Sequence, residues 1–326
     1  MQAARIYETG GPEVLKLDTL DSVTPGPGQV RLQQKFIGLN FIDIYMRTGV
    51  YPAGDLPATL GMEGMGVVDA VGEGVSDIKP GDRLAYAMVP GAYADERIID
   101  AEKTVPVPDS IDDQTAGSIM LKGLTAQYLL FRTYPVKPDD TILVYAAAGG
   151  VGSLLTRWAK HIGARVIGCV GNEEKAEIAR GHGCDDVILY RSENIPRKVR
   201  ELTDNEGVNV VYDGIGQSTF MDSLDSLAKF GMMVSYGNIT GKIEPFSPAI
   251  LAPKGSLYVT RPTLATHVST RELLLDGAEH LFSAIDKGII SANIQQSWSL
   301  ADVADAHRAM EEGSTTGSTV LQVNQE

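Results

Sequence analysis

The sequence predicts an α/β protein that combines two architectures. One stretch is expected to form a doubly wound parallel sheet, and the rest, mostly N-terminal, a domain of many short strands. Three observations carry this expectation. A strand, a glycine turn and a helix pattern follow one another between Thr141 and Lys160. Strand and helix patterns alternate from there to about Tyr236. Before about residue 110, short β-like segments are broken repeatedly by glycine and proline.

The first of these is the most informative. Ile142 to Tyr145 is a short apolar, β-branched run, the pattern of a strand buried on both faces. Glycines at 149, 150 and 152 break it. Apolar residues then fall at 151, 154, 155, 158, 159 and 162, the spacing of one helix face. This order makes the opening unit of a dinucleotide-binding fold, in which helix N-terminal amides face a pyrophosphate. Ala147 stands where G-x-G-x-x-G places its first glycine, so the motif is a variant. Gly149 and Gly152 keep the roles of close backbone approach and close helix packing. Alone, such a turn also serves as plain structural punctuation.

The 326 residues suggest about two domains with an ordinary core each. A formal charge of −14 argues against nucleic-acid and anionic-membrane partners, both of which call for a basic face. No apolar run reaches 18 residues and Met1–Gly11 lacks a signal-peptide pattern, so a soluble cytoplasmic protein is expected. Cys169 and Cys184 are too few for a disulfide framework or a four-cysteine zinc site. The five histidines, at 161, 182, 267, 280 and 307, show no ligand spacing.

In the N-terminal part, Gln29–Gln34, Gly66–Val71, Arg83–Met88 and Arg97–Ile99 read as strands separated by turns such as Pro80-Gly81-Asp82. Their close spacing suggests an irregular barrel-like domain. A helix from Asp112 to about Arg132 is expected to lead into the second domain. There, strands at Ile142–Tyr145, Val166–Val170, Val187–Tyr190, Val208–Asp213 and Met232–Tyr236 alternate with helices at Gly152–Ile162, Glu173–Gly181, Ile195–Thr203 and Gln217–Ala228. Such alternation implies a parallel sheet covered on both faces. After Pro262 come two amphipathic helices, about Thr270–Asp286 and Leu300–Glu311, and an apolar strand, Thr319–Val323. These have no βαβ partner and are expected to return to the first domain. The expected division is residues 1–124, 125–261 and 262–326, the middle segment being an insertion, with a ligand cleft between the domains.

The second strand bears on the choice of cofactor. NAD-binding versions of this fold carry an acidic residue about 20 positions on, bonded to the adenine ribose. Here the strand ends at Val170-Gly171-Asn172 with no carboxylate at its tip. Lys175 follows within one helical turn, and Tyr190 ends the third strand. A small residue leaves room for a 2′-phosphate and a lysine supplies charge-assisted hydrogen bonds, which favours NADPH over NADH. Glu173 and Glu174 count against this, although acidic residues in a first helical turn are also ordinary dipole partners.

Several separated stretches carry a family likeness: Gly38 to Pro52, Gly61-Met-Glu63-Gly64-Met-Gly66, Leu121-Lys-Gly-Leu-Thr125, Ala146 to Gly152, Asp213-Gly-Ile-Gly216, Gly237-Asn238 and Gly255 to Pro262. Together they span nearly the full length, and the chain resembles the quinone oxidoreductases of the medium-chain dehydrogenase/reductase superfamily. That resemblance implies a GroES-like β-barrel catalytic domain plus a Rossmann domain with a doubly wound parallel sheet. Zinc-dependent members place cysteine and histidine ligands where this chain has Asn40 and Met62, and the cysteine-rich lobe is missing, so no metal is expected.

The resemblance also implies roles. Asn40, Asp43, Tyr45 and Tyr51 line the cleft beside the nicotinamide, with Asn40 and Tyr45 also touching the cofactor. The two tyrosines either donate a hydrogen bond to the quinone oxygen or form an aromatic wall for its ring. Asp43 either orients a phenol or caps a turn. Thr125 is a ribose or nicotinamide contact, and Gly149, Gly150, Val151 and Gly152 cradle the pyrophosphate. Gly171, Asn172, Lys175 and Tyr190 serve the adenosine end, and Asn238, Arg261 and Gly317 lie near the cofactor. Arg261 is equally readable as a surface ion-pair residue. The implied protein is a homodimeric NADPH:quinone reductase pairing through Ser256–Thr260, since a bare apolar edge strand invites a partner. Two alternatives stand beside it: reduction of an activated carbon–carbon double bond in an enone or alkenal, and a non-catalytic NADPH-binding protein with an RNA-binding or structural role.

Overall fold

The apolar run at Thr141–Tyr145 lies at the centre of a six-stranded parallel sheet in the structure, a computed structural model that describes residues 1–323. The strand order is Asp186–Leu189, Arg165–Val170, Thr141–Tyr145, Val208–Asp213, Leu227–Ser235, Tyr258–Thr260. Chain order thus reverses beside the first strand, the switch point at which doubly wound sheets bind ligands. Ile142, Leu143, Val144 and Tyr145 are all buried, so neighbours on successive residues cover both faces. That is why the run reads as continuously apolar rather than alternating. Val144 pairs with Gly168 on one side and Tyr212 on the other.

The chain divides into two compact units. One is Thr125–Thr266, and the other joins Met1–Leu124 to His267–Glu326. The return falls at His267, against the expected 262, at the end of the short helix Leu264–His267. The helices expected at Gly152–Ile162 and Ile195–Thr203 appear as Gly150–Ile162 and Ile195–Leu202, and Glu173–Gly181 as written. Gln217–Ala228 is a 3-10 turn, Gln217–Thr219, then a helix, Phe220–Ser226. Trp158 and Leu155 are core residues, with Trp158 edge-on to Phe131 at 5.2 Å.

In the other unit, Gln29–Leu39 is the organising strand. It pairs antiparallel with Glu63–Val71, Glu96–Asp100 and Ser318–Gln322. Alternate residues Val30, Leu32 and Gln34 point inward, the period expected of a half-buried strand. Arg83–Ala87, Val105–Pro106 and Ile294–Ser299 extend this sheet, and Gln2–Ile6, Lys16–Thr19 and Ala58–Thr59 form a small second one. The pairings form open paths; no closed ring of strands is traced among the described residues. Helix Asp113–Tyr128 continues as a π-helical turn, Leu129–Thr133, in place of the single helix to Arg132. It lies close to the organising strand: a Cβ on Gly117 would meet Phe36 Cβ at 2.6 Å. Among the described residues no helix is long and apolar enough to cross a membrane.

Candidate functional site

The sequence-derived candidates fall into two groups, one in each unit. In the parallel-sheet unit they gather along the carboxyl ends of the strands. The glycine turn follows the first strand, Gly171 and Asn172 the second, Tyr190 the third, Asn238 the fifth and Arg261 the sixth.

At the turn, Gly149 is the N-cap of helix Gly150–Ile162, and its amide donates to Ala146 O at 2.8 Å. A Cβ on Gly152 would sit 2.2 Å from that same carbonyl oxygen, so glycine is demanded by close packing of helix on turn. The strained residue is Ala146, with φ +51°, where a glycine would be easier. Val151 follows in the first turn, half-buried. The amides of that first turn end a 13-residue helix and carry its partial positive charge.

At the second strand, Asn172 is itself a helix N-cap. Its Oδ1 accepts from the Lys175 amide at 2.9 Å, so the asparagine oxygen is already engaged. At Gly171 a Cβ would lie 2.9 Å from Tyr190 Oη and 3.5 Å from Arg191 Nε, so the ends of both side chains lie beside this residue. Lys175 is half-buried, and burial together with the charge of Arg191 lowers its ammonium pKa. Glu173, whose charge disfavours a phosphate at this tip, is drawn along its helix to Arg180 at 2.9 Å. Arg191 was missed by sequence reasoning. Its signal was its place directly after Tyr190, at the end of the third strand.

The remaining members of this group are less exposed. Thr125 and Asn238 are buried. Arg261 Nη1 donates to Ser235 O at 2.9 Å, at the carboxyl end of the fifth strand. Asp213 ends the fourth strand fully buried, accepting from the amides of Ile215 and Gly216 and the hydroxyls of Thr219 and Ser223. Those four bonds hold the Gly214–Gly216 turn.

The second group surrounds a short helix, Phe41–Arg47, that the sequence reading did not mark. Asn40 is its N-cap, and Asp43 Oδ2 reaches back to accept the Asn40 amide at 2.9 Å. Asn40 Nδ2 donates to Glu63 Oε2 at 2.8 Å and Gly38 O at 3.2 Å. Glu63 is fully buried and also accepts from the Leu121 amide at 2.7 Å and Lys122 Nζ at 3.3 Å. Gly38 has to be glycine for this pocket, since its Cβ would fall 2.2 Å from Glu63 Oε2. Tyr45 lies edge-on to Tyr51, ring centroids 5.3 Å apart, and its carbonyl accepts the Tyr51 amide at 2.9 Å. Phe41 completes this aromatic row at 6.2 Å.

Asp43 is fully buried, and desolvation pushes its carboxyl pKa up to about 7. Its Oδ2 also accepts from Tyr93 Oη at 2.9 Å, and Tyr93 in turn lies 2.9 Å from His307 Nε2. Both partners were missed, because they sit 50 and 264 residues away in the chain. Gly317 lies in this unit with φ +58°; a Cβ there would stand 2.2 Å from Asn293 O, so close packing alone accounts for the glycine.

An antiparallel β unit joined to a parallel sheet with this strand order and a glycine-lined first turn defines a protein of the medium-chain dehydrogenase/reductase superfamily. Residues 26–137 match the family model of the alcohol dehydrogenase GroES-like domain, and residues 150–274 that of zinc-binding dehydrogenases. A quinone oxidoreductase of Pseudomonas aeruginosa is 49% identical over 313 residues, covering 96% of each chain. A 2-haloacrylate reductase of a Burkholderia species is 42% identical, covering 98% of each chain. The crystal structure of Escherichia coli quinone oxidoreductase complexed with NADPH matches with a TM-score of 0.97 at 42% identity, covering 99% of this chain and 100% of that one. Within the superfamily, the chain belongs to the quinone oxidoreductase family.

Proposed function

We propose that the protein is an NADPH-dependent quinone reductase that works without zinc. The observation that carries this is the second-strand tip, where Gly171, Lys175, Tyr190 and Arg191 converge with two cationic side chains and no carboxylate of that strand. That environment suits a 2′-phosphate, because each cation supplies a charge-assisted hydrogen bond. Asn172 positions the loop, and Gly149, Gly150, Val151 and Gly152 offer helix-end amides to the pyrophosphate. Thr125, Asn238 and Arg261 are assigned to the rest of the cofactor, with Asn40 and Tyr45 toward its nicotinamide.

Bound NADPH supplies a hydride. The protein's own part is then to orient the acceptor and keep the reacting groups in register, which for bimolecular transfers is a large share of the barrier. Tyr45 and Tyr51, already packed edge to face, suit a flat ring, and their hydroxyls suit its oxygen. Asn40 holds its place through Glu63.

The residues do not fit a catalytic zinc. Asn40 and Met62 stand at the ligand positions implied by the family, and Glu63 already has Lys122 as counter-charge. Among the described residues no cluster of three histidine, cysteine or acidic side chains has metal-binding geometry. Polarising the acceptor oxygen therefore falls to hydrogen-bond donors of the chain.

The barrel-like closure of the antiparallel unit, a cytoplasmic setting and homodimerisation belong to the same reading. For the dimer, support comes from Tyr258–Thr260, the edge strand of the parallel sheet, whose first residue, Tyr258, is exposed. Tyr258→Asp is expected to yield monomers in sedimentation equilibrium; an unchanged mass would remove this edge from the interface.

The likeness to a 2-haloacrylate reductase favours one second reading, reduction of an activated carbon–carbon double bond. Paired NADPH-oxidation assays with a naphthoquinone and a small alkenal decide between them. Faster turnover of the quinone is expected, and faster turnover of the alkenal would replace the substrate class.

A further inference from the structure

Four fully buried polar side chains from three separate stretches form one hydrogen-bonded file: Asp43 and Arg47 on the short helix, Tyr93 in the loop after Arg83–Ala87, and His307 on helix Val303–Glu311. The direction of every bond follows from donor chemistry. Arg47 Nη1 lies 3.4 Å from His307 Nδ1, and a guanidinium only donates, so Nδ1 is the acceptor and the ring proton sits on Nε2. His307 Nε2 therefore donates to Tyr93 Oη, and the tyrosine's own proton goes to Asp43 Oδ2. Arg47 is anchored by Glu311 Oε1 at 2.6 Å and Gly10 O at 3.2 Å. Burial and the adjacent guanidinium drive the His307 pKa down to about 3, so the ring stays neutral and its tautomer stays set.

We propose that Arg47, His307 and Tyr93 are positioning residues that set the charge state of Asp43, and thereby the hold on the Asn40 amide and the pH dependence of turnover. This deepens the reading given above and rests on Asn40 and Tyr45 serving the nicotinamide. Asp43 Oδ2 takes both the Tyr93 hydroxyl and the Asn40 amide, while buried Oδ1 bonds to none of the described residues. A proton arriving on the carboxyl therefore goes to Oδ1 and converts two charge-assisted bonds at Oδ2 into ordinary ones. Of the groups facing Asp43, the Asn40 amide, Tyr93 and Lys122 favour the carboxylate, whereas Glu63 and the apolar surroundings favour the acid. Arg47 and Glu311 connect to it through the file. A cap needed only for folding is well served by a neutral hydroxyl or amide. A buried acid raised by desolvation and drawn back by the directed donors at Oδ2 is suited to switching.

The test uses cofactor-free full-length protein labelled with carbon-13 at aspartate carboxyls and nitrogen-15 at amides, alongside NADPH:naphthoquinone kinetics. The Asp43 carboxyl and the Asn40 amide are expected to titrate together near pH 7, matching an acid limb in kcat/KM. Tyr93→Phe removes one oxygen and is expected to raise both midpoints by roughly one pH unit. His307→Leu is expected to raise them less, and His307→Gln, whose amide both accepts and donates, to restore them. Midpoints unmoved in Tyr93→Phe would overturn the proposal, as would a titration that moves while the kinetic limb stays. If His307→Leu does not fold, Tyr93→Phe and His307→Gln carry the comparison. A protein that turns over no quinone at any pH defeats the functional reading, and the labelled titration still reports whether the file governs Asp43.

Discussion

Lys122 Nζ lies 3.3 Å from Glu63 Oε2, and both side chains are buried. Removing one member leaves the other charge stranded, which costs about 3–5 kcal/mol in comparable buried pairs. Lys122→Met is therefore expected to lower the denaturation midpoint sharply, and the double change Glu63→Gln with Lys122→Met to recover much of it. Equal stability of the single variant and the native chain would mean that Asn40 and the Leu121 amide suffice for Glu63.

A methyl group at residue 152 has to displace backbone, since its position lies 2.2 Å from Ala146 O. Overpacking of this kind costs about 1–3 kcal/mol. Gly152→Ala is expected to weaken NADPH binding at least about tenfold, read by fluorescence titration, because the turn and the helix amides shift together. Native affinity in this variant would detach the turn from phosphate binding.

The two cations at the second-strand tip are expected to act jointly on cofactor choice. Lys175→Ala should weaken NADPH by roughly 1.5–3 kcal/mol and NADH little. Adding Arg191→Ala should erase the remaining preference, measured as the ratio of the two dissociation constants. Equal losses for both cofactors would move the 2′-phosphate elsewhere.

Asp43 and His307 bend stability with pH in opposite senses. Folding raises the Asp43 pKa from an ordinary value near 4 to about 7, so its contribution is full below pH 4 and is lost as pH rises through 7. Folding lowers the His307 pKa to about 3, so its contribution is full above about pH 6.5 and is lost as pH falls toward 3. Between about pH 4 and 6.5 the two slopes oppose. Asp43→Asn is expected to leave stability rising with pH across that interval, and His307→Gln to leave it falling, each by on the order of 2–4 kcal/mol in urea titrations. Parallel profiles for all three proteins would contradict both assignments.

The parallel-sheet unit was legible because its signals are local. Gly149 to Gly152, the apolar strands and the Glu173–Gly181 helix each state their conformation within a dozen residues. The helix at Phe41–Arg47 was not, since it is two turns long and Asn40 and Asp43 form an N-terminal pair easily mistaken for turn residues. Ile294–Ser299 also escaped notice: its Gln295-Gln296-Ser297 core lacks the alternation of a half-buried strand, and pairing with Ser318–Gln322 decides it. Glu63 was visible only as part of a family motif, although a glutamate opening an apolar strand was itself a sign of a buried partner. Its lysine lies 59 residues on, and His307 lies 264 residues from Asp43. Tertiary pairing of that kind leaves no short-range trace.

Pairing of Ser318–Gln322 with Phe36–Leu39 ties together stretches made far apart in time. Half of the ladder is made early in translation and half late, with the whole of Thr125–Thr266 emerging from the ribosome in between. The nucleotide-type unit can complete itself on the nascent chain, while the organising strand of the other unit waits with an unpaired flank until its late partner emerges. Premature termination just before that late strand should therefore yield a chain with one finished half and one adhesive edge.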